Sequence, residues 1–331
     1  MTGNVTALEA CPEATFCMSQ VMLLEHTARH YPDLLSHIQQ LRSEGRWENV
    51  GGAWVESDLN IPSGESLARQ FLYGQRFLLE HFGEIATTAW APDCFGHSGN
   101  LPQIMALCGI TQYVHKRPRD IYFALPNVPY DWEGIDGTRM LCLRVVNKGR
   151  GYPSAPSQGT VFEGDPAEYM RALFSERGIH DLWGPIGVGD VGGVNRYETP
   201  EDTDDTHYRF STPSRYFAAL RETELPGRPL VTGELNPFMD GAYTTQVACK
   251  KGNRETENRL VHSEFMAALA NCGGLPYPAE QLSGLWKRLL FTQFHDILPG
   301  TGDKPTHEAA VHDFSEIAVR TGGGVTAIAS T

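Results

Sequence analysis

Long apolar runs are missing from this 331-residue sequence. No stretch reaches the roughly 20 residues that cross a bilayer, and Met1 to Ala10 lacks the basic flank and apolar core of a signal peptide. Basic residues are few: 27 Lys+Arg stand against 40 Asp+Glu, a formal net charge of −13. Binding to nucleic acid or anionic lipid needs clustered cations, so neither a nucleic acid nor a membrane is expected as a partner. The seven cysteines are odd in number and form no Cys-x-x-Cys pair, which argues against a disulfide framework and a thiolate zinc finger. They read as reduced, mostly buried thiols in a cytoplasmic setting. No internal repeat and no His-x-Asp dipeptide pattern occurs. What is present, 41 % hydrophobic and 10 % aromatic residues, is the composition of a globular chain of about two domains.

Helix and strand signals alternate over the first two thirds. Pro32 opens a helix with Leu34, Leu35, Ile38 and Leu41 on one face and Gly45 as its stop. A strand is expected near Val50 to Val55, then a helix from Glu65 to Phe82 closed by Gly83. Ile85 to Trp90 reads as a strand, Leu101 to Cys108 as a helix and Thr111 to His115 as a strand. This is the sequence form of βαβ units and a parallel sheet, an α/β fold. Loops and short strands follow from about Asp120 to Thr160, then helices at Ala167 to Arg177 and Arg215 to Arg221 and strands at Trp183 to Val188 and Pro229 to Leu235. Beyond Asn236 the pattern becomes helical, over Gln246 to Ala270 and Leu282 to Leu298, so the chain divides into residues 1–236 and 237–331. The glycine-rich end reads as a linker.

Functional groups of parallel α/β sheets sit on loops after the carboxyl ends of strands. Asp93 in Trp90-Ala91-Pro92-Asp93-Cys94-Phe95-Gly96-His97-Ser98 and Asp190 in Gly187-Val188-Gly189-Asp190-Val191-Gly192-Gly193 hold such positions. Two carboxylates on one face suit glycoside hydrolysis, one at the anomeric carbon and one protonating the leaving oxygen; each alone is also an ordinary turn or cap aspartate. His295, on the last predicted helix, is open as a core group, a surface group or a metal ligand. His26 and His30 have metal-ligand spacing, but Thr27 stands where a zinc protease carries glutamate, so they read as a surface pair. Trp54, Trp90, Phe95, Trp132 and Tyr243 flank the candidate loops and suit sugar stacking, or are core. Gly187, Gly189 and Gly192 match Gly-x-Gly-x-x-Gly, yet no helix follows, which argues against a dinucleotide site.

A set of motifs carries a family resemblance: Met18-Ser19-Gln20, Gly45-Arg46-Trp47-Glu48, Val50-Gly51-Gly52 through Trp54-Val55-Glu56, Pro62-Ser63-Gly64-Glu65-Ser66, Gly74-Gln75-Arg76, Trp90-Ala91-Pro92-Asp93, Leu101-Pro102-Gln103, Trp132-Glu133-Gly134 and Gln293-Phe294-His295-Asp296-Ile297-Leu298-Pro299-Gly300. In this order and over nearly the whole chain, they resemble the glycoside hydrolase family 38 α-mannosidases. The resemblance implies an incomplete, parallel seven-stranded (β/α) barrel-like catalytic domain followed by a helical middle domain. It implies retaining hydrolysis of α-linked mannose in glycans, with Asp93 as nucleophile and zinc ligand, His295 as a second zinc ligand and Asp190 as general acid/base. Lys116 corresponds to a cation near the nucleophile and Phe95 to an aromatic that contacts the sugar; Trp132 and Tyr243, beside the candidate loops, are further expected substrate contacts.

Family members carry upstream a His-x-Asp pair that supplies the other zinc ligands, and β-sandwich domains downstream; this sequence shows neither. A fragment with half a metal site, impaired in activity, is therefore expected. A non-catalytic glycan-binding or partner-binding remnant is the alternative, and association into a homo-oligomer stays open.

Overall fold

A computed structural model describes residues 1–118, 125–126, 128–145, 183, 207, 209–222, 227–236 and 239–322. Among the described residues the order of elements is α1 (Thr2–Ala10), β1 (Phe16–Met18), α2 (Val21–His30), α3 (Pro32–Ser43), β2 (Trp47–Asn49), α4 (Gly64–Phe82), β3 (Thr88–Ala91), α5 (Leu101–Leu107), β4 (Gln112–His115), β5 (Tyr130–Glu133), β6 (Arg139–Arg144), α6 (Pro213–Glu222), β7 (Leu230–Thr232), a 3-10 turn (Asp240–Thr244), α7 (Val247–Cys272), α8 (Ala279–Thr292) and α9 (Lys304–Thr321). The expected helix and strand at 167–177 and 183–188, and Asp190 with them, lie outside these residues, Trp183 excepted.

The α/β expectation holds. β1 pairs with β2 in parallel, and a five-stranded sheet runs in the order β3-β4-β6-β5-β7. Its pairs are parallel except β5 with β6, a hairpin turned at Asp136-Gly137, where Gly137 has a φ of 87°. The amide of Gly51, just after β2, donates to Thr88 O at 2.8 Å and carries the small sheet toward the large one. The expected strand at Val50 to Val55 does not form. Gly51 and Gly52 have φ values of 82° and 66°, in the left-handed region that strands do not use, so β2 ends at Asn49 and the chain turns.

Helix α4 shows why its residues fold as they do. Ser63 accepts from Ser66 N at 3.2 Å as the N-cap, Gly83 takes a φ of 74° at the far end, and Leu67, Phe71 and Leu78 lie buried on one face. Leu67 and Phe71 join Leu101, Met105, Tyr113 and Trp132 in the main core beneath the sheet. Burying each such side chain contributes about 1.5–3 kcal/mol. A second cluster, with Leu24, Ile38, Trp47 and Leu78, packs α1 to α4 around β1 and β2.

The C-terminal helices have their own core of Leu260, Leu285, Trp286, Leu289, Phe314 and Ile317. They join the α/β part through α4. Arg69 donates to both oxygens of Glu264 at 2.8 and 2.6 Å and lies 4.0 Å from the Trp286 ring centre. Among the described residues no helix is long and apolar enough to cross a membrane. All seven cysteines are free; Cys94, Cys142 and Cys249 are buried, whereas Cys272 is exposed, so the expectation of mostly buried thiols holds for these three alone.

Candidate active site

The register of two strands builds half of the site. Ala91, the last residue of β3, pairs in parallel with His115, the last of β4. Two residues beyond each end stand Asp93 and Arg117, so the sheet delivers a carboxylate and a guanidinium side by side. Arg117 Nη2 lies 2.6 Å from Asp93 Oδ1, and Nη1 donates to Asp93 O at 3.0 Å. The cation that meets Asp93 is thus Arg117, next to the expected Lys116, which is half-buried and has partners of its own.

His295 supplies the other half, from a place the sequence misjudges. It was expected on a helix, but α8 stops at Thr292 and His295 sits in the following turn. The cause is pairing with the Ser57 segment: Phe294 forms an antiparallel bridge to Ser57, and His295 N donates to Glu56 O at 3.2 Å instead of continuing the helix. His295 Nδ1 also bonds Glu56 O at 2.8 Å. A carbonyl accepts only, so Nδ1 carries a proton, and in the neutral ring the lone pair lies on Nε2. That nitrogen faces Asp93 Oδ2 at 3.7 Å.

Two lone-pair atoms facing each other at that separation suit a shared cation. Ligands about 2.1 Å from a tetrahedral zinc stand about 3.4 Å apart, and a ring nitrogen oriented by a carbonyl on its other N–H is the usual form of a metal-binding histidine. Asp93 and His295 therefore fit as two ligands. Among the described residues, no group of three or more His, Cys, Asp or Glu is arranged to hold a metal.

Two carboxylates missing from the sequence-derived site surround this pair. Ser19 donates to Glu56 Oε1 at 2.5 Å. Burial pushes the Glu56 carboxyl upward, His295 and Ser19 pull it back, and the Asp93 charge adds to the rise. Asp58 is fully buried and accepts from the amides of Asn60 and Ile61 at 2.9 and 2.6 Å. Burial raises its carboxyl too, against those hydrogen bonds. Glu56 and Ser19 both stand inside motifs that carry the family resemblance, but their pairing is not written in the sequence.

The aromatic residues separate. Phe95 is 3 % exposed, its ring centre 6.4 Å from that of His295 and 5.0 Å from the Arg117 guanidinium carbon, so it floors the site. Tyr243 is half-buried in the 3-10 turn and accepts from Asn60 Nδ2 at 2.9 Å; burial, then the Asp58 charge, raises its hydroxyl. Trp132, expected at the substrate, is a core residue. It is 0 % exposed, stacks on Tyr113 at 5.8 Å and donates to Gly233 O at 2.6 Å, whereas a sugar platform needs an open ring face. Trp54 is also core, while Trp90 meets Trp183 edge to face at 5.8 Å. His26 and His30 are an exposed surface pair, as expected. Gly96 is required by contact. A Cβ there would stand 1.7 Å from Asn236 Oδ1, inside the reciprocal amide pair of Asn236 and Asn60. A cavity of about 410 Å³ lined by Glu25, Arg29, Tyr73, Arg76 and Lys287 includes none of these groups.

A carboxylate and a guanidinium from the carboxyl ends of β3 and β4 thus meet an imidazole from the turn after α8. Comparison with known proteins gives the family. Residues 2–241 match the model of the glycosyl hydrolases family 38 N-terminal domain and residues 238–329 that of the alpha mannosidase middle domain, and the chain belongs to glycoside hydrolase family 38. It is 37 % identical to alpha-mannosidase 2C1 of Homo sapiens, over 95 % of this chain and 31 % of that protein. It is 31 % identical to alpha-mannosidase G of Dictyostelium discoideum, over 96 % of this chain and 29 % of that protein. The chain thus spans about a third of the length of these curated relatives. The crystal structure of an alpha-mannosidase from Enterococcus faecalis superposes with a TM-score of 0.78 at 20 % identity, covering 97 % of this chain and 38 % of that one, which shows a shared fold.

Proposed function

We propose that the chain carries the catalytic centre of a retaining α-mannosidase acting on mannose-containing glycans. The observation that carries this reading is Asp93, in a family 38 chain, set between Arg117 at 2.6 Å and His295 at 3.7 Å. The fixed guanidinium of Arg117 orients the Asp93 carboxylate for attack. Asp93 attacks the anomeric carbon as the glycosidic C–O bond breaks, and Asp190, outside the described residues, gives a proton to the departing oxygen. Asp190 then takes a proton from water, whose oxygen displaces Asp93 and restores the sugar's configuration. Tyr243 is the proposed substrate contact, Phe95 backs Arg117 and His295 from a buried position, and Lys116 is a further cation of the site. The seven strands are read as an open barrel-like arc, supported by the Gly51 to Thr88 hydrogen bond between the two sheets.

Asp93 and His295 are proposed to hold a divalent metal, zinc by family resemblance, which would polarise sugar hydroxyls. A catalytic zinc takes three or more protein ligands. With two ligands among the described residues, the isolated chain is proposed to bind zinc weakly and to turn over slowly. The test is hydrolysis of an aryl α-mannoside with and without added zinc, joined to trapping with a fluorinated α-mannosyl fluoride that slows release of the covalent intermediate. The expected result is slow turnover and a mannosyl mass increment on the Asp93 peptide, both abolished by Asp93→Ala. Asp190→Ala should cost much less on an aryl group that departs unprotonated than the about 10²- to 10⁴-fold typical of acid catalysis. Binding of α-mannosides with no turnover under any metal would mark a non-catalytic glycan-binding remnant instead.

A further inference from the structure

Beneath Arg117 lies a buried group of four polar rings that the proposed chemistry does not use. His97 and His115 are both 0 % exposed, and Tyr113 and Tyr130 are 1 % and 0 % exposed. Both imidazoles meet a single acceptor, the main-chain carbonyl of Arg117: His97 through Nε2 and His115 through Nδ1, each at 2.8 Å. A carbonyl cannot donate, so each of these nitrogens carries a proton. The remaining nitrogens face tyrosine hydroxyls. Tyr113 Oη lies 2.7 Å from His97 Nδ1, and Tyr130 Oη lies 2.6 Å from His115 Nε2.

The network closes in one way only. Each neutral ring has one donor, spent on the carbonyl, and one acceptor, filled by a tyrosine O–H. His97 is then the Nε2–H tautomer and His115 the Nδ1–H tautomer. Two imidazolium ions with ring centres 5.2 Å apart in a buried space would repel, and burial lowers His97 to about 4 and His115 well below its ordinary value. Four apolar side chains would fill the same space without hydrogen bonds to satisfy, so the network has a use beyond packing. Its common target is the residue whose guanidinium grips Asp93.

We propose that the Tyr113–His97 and Tyr130–His115 pairs are positioning residues for Arg117: two neutral imidazoles of opposite tautomer saturate its carbonyl, fix its main chain and hold its guanidinium on Asp93 before any substrate arrives. The consequence for rate rests on the reading of Asp93 as nucleophile, because a preset cation needs no reorganisation during attack. The placement of Arg117 does not depend on that reading.

Two measurements on the intact 331-residue chain test this. Long-range ¹H–¹⁵N spectra near neutral pH should show His97 protonated on Nε2, His115 on Nδ1, and separate Arg117 Nη signals from slowed rotation. Substitutions should then show a crossed preference. Glutamine can place a donor where Nε2 was and asparagine where Nδ1 was. His97→Gln and His115→Asn should keep the separate Arg117 signals and most of the aryl α-mannoside kcat. His97→Asn and His115→Gln should merge those signals and lower kcat by about 10- to 100-fold with KM little changed. A packing role ranks variants by size and favours glutamine at both positions. That ranking, a shared tautomer, or a doubly protonated ring at neutral pH overturns the proposal. If the wild-type chain hydrolyses no α-mannoside, the proposed activity fails, while the tautomers and Arg117 signals still decide this inference. Should a variant not fold, the wild-type spectrum decides it.

Discussion

The two halves of the site are held by different means. Asp93 and Arg117 inherit their places from main-chain register, since Ala91 and His115 are paired and each functional group follows two residues later. His295 is held by the Phe294–Ser57 bridge and by Glu56 O, and the segment before it is tied in by side chains reaching across the molecule. The residue two before it, Gln293, accepts at its main-chain carbonyl from Asp58 N at 2.8 Å, and its side chain donates to Asn253 Oδ1 at 2.9 Å and Glu257 Oε1 at 3.2 Å. Glu257, itself 2 % exposed, also accepts from Ser63 N at 2.8 Å and Ser66 Oγ at 2.7 Å. Backbone pairing is shared by many residues and no single side chain decides it. A buried side-chain network has members that each matter, because removing one leaves its partners unsatisfied.

The largest effect should follow from cutting that network. Glu257→Ala strips acceptors from Ser63, Ser66 and Gln293 and should cost about 4 kcal/mol in urea denaturation. It should also shift the His295 imidazole signals while leaving those of Arg117 in place. A loss below about 1 kcal/mol would make the network incidental and the contrast empty.

Acid should strike the strand-end half next. The His97 value of about 4 lies below the ordinary 6.5, so the unfolded chain takes up a proton between those values that the folded chain refuses. Stability present above pH 6.5 is lost as pH falls toward 4, by about 3 kcal/mol for this residue. Glu56 and Asp58, with raised values, gain protons first in the folded state and offset part of the loss. Urea midpoints at pH 7 and 4.5 should therefore fall less in His97→Gln than in the wild type.

Gly96→Ala tests the seam between the halves, because its Cβ would enter the Asn236–Asn60 pair; about 2 kcal/mol should be lost in thermal unfolding. Ser63→Ala removes the cap on α4 and the 3.3 Å bond from Ser63 Oγ to Ser66 Oγ, and should cost about 1 kcal/mol with no change at Arg117 or His295. If it disturbs His295, the cap belongs to the network as well.

How much of this was legible in the sequence follows the same division. Caps and stripes marked α3, α4, α5 and α6, because those signals sit within one element. Helices α1 and α2 were missed: neither has a side-chain cap, and Gln20 starts α2 from a left-handed backbone. Helix α9 carried Asp303 as N-cap and a proline in its first turn, signals present but unread. The place of Asp93 beyond the end of β3 is legible because a strand end is a local feature. Arg117 was passed over for its neighbour because one residue of register decides which side chain turns toward Asp93. His295 reads as helical in the sequence but lies in a turn, since its helix is ended by a contact with Ser57 from the distant α/β part. Trp132 looked like a sugar platform until burial made it core.

The imidazole of His295 comes from one folding unit and the carboxylate of Asp93 from another, and the two meet only when α4 and the C-terminal helices are seated together. On the proposed reading, chemistry at this centre is tied to completed assembly, and turnover reports whether the two parts have found each other.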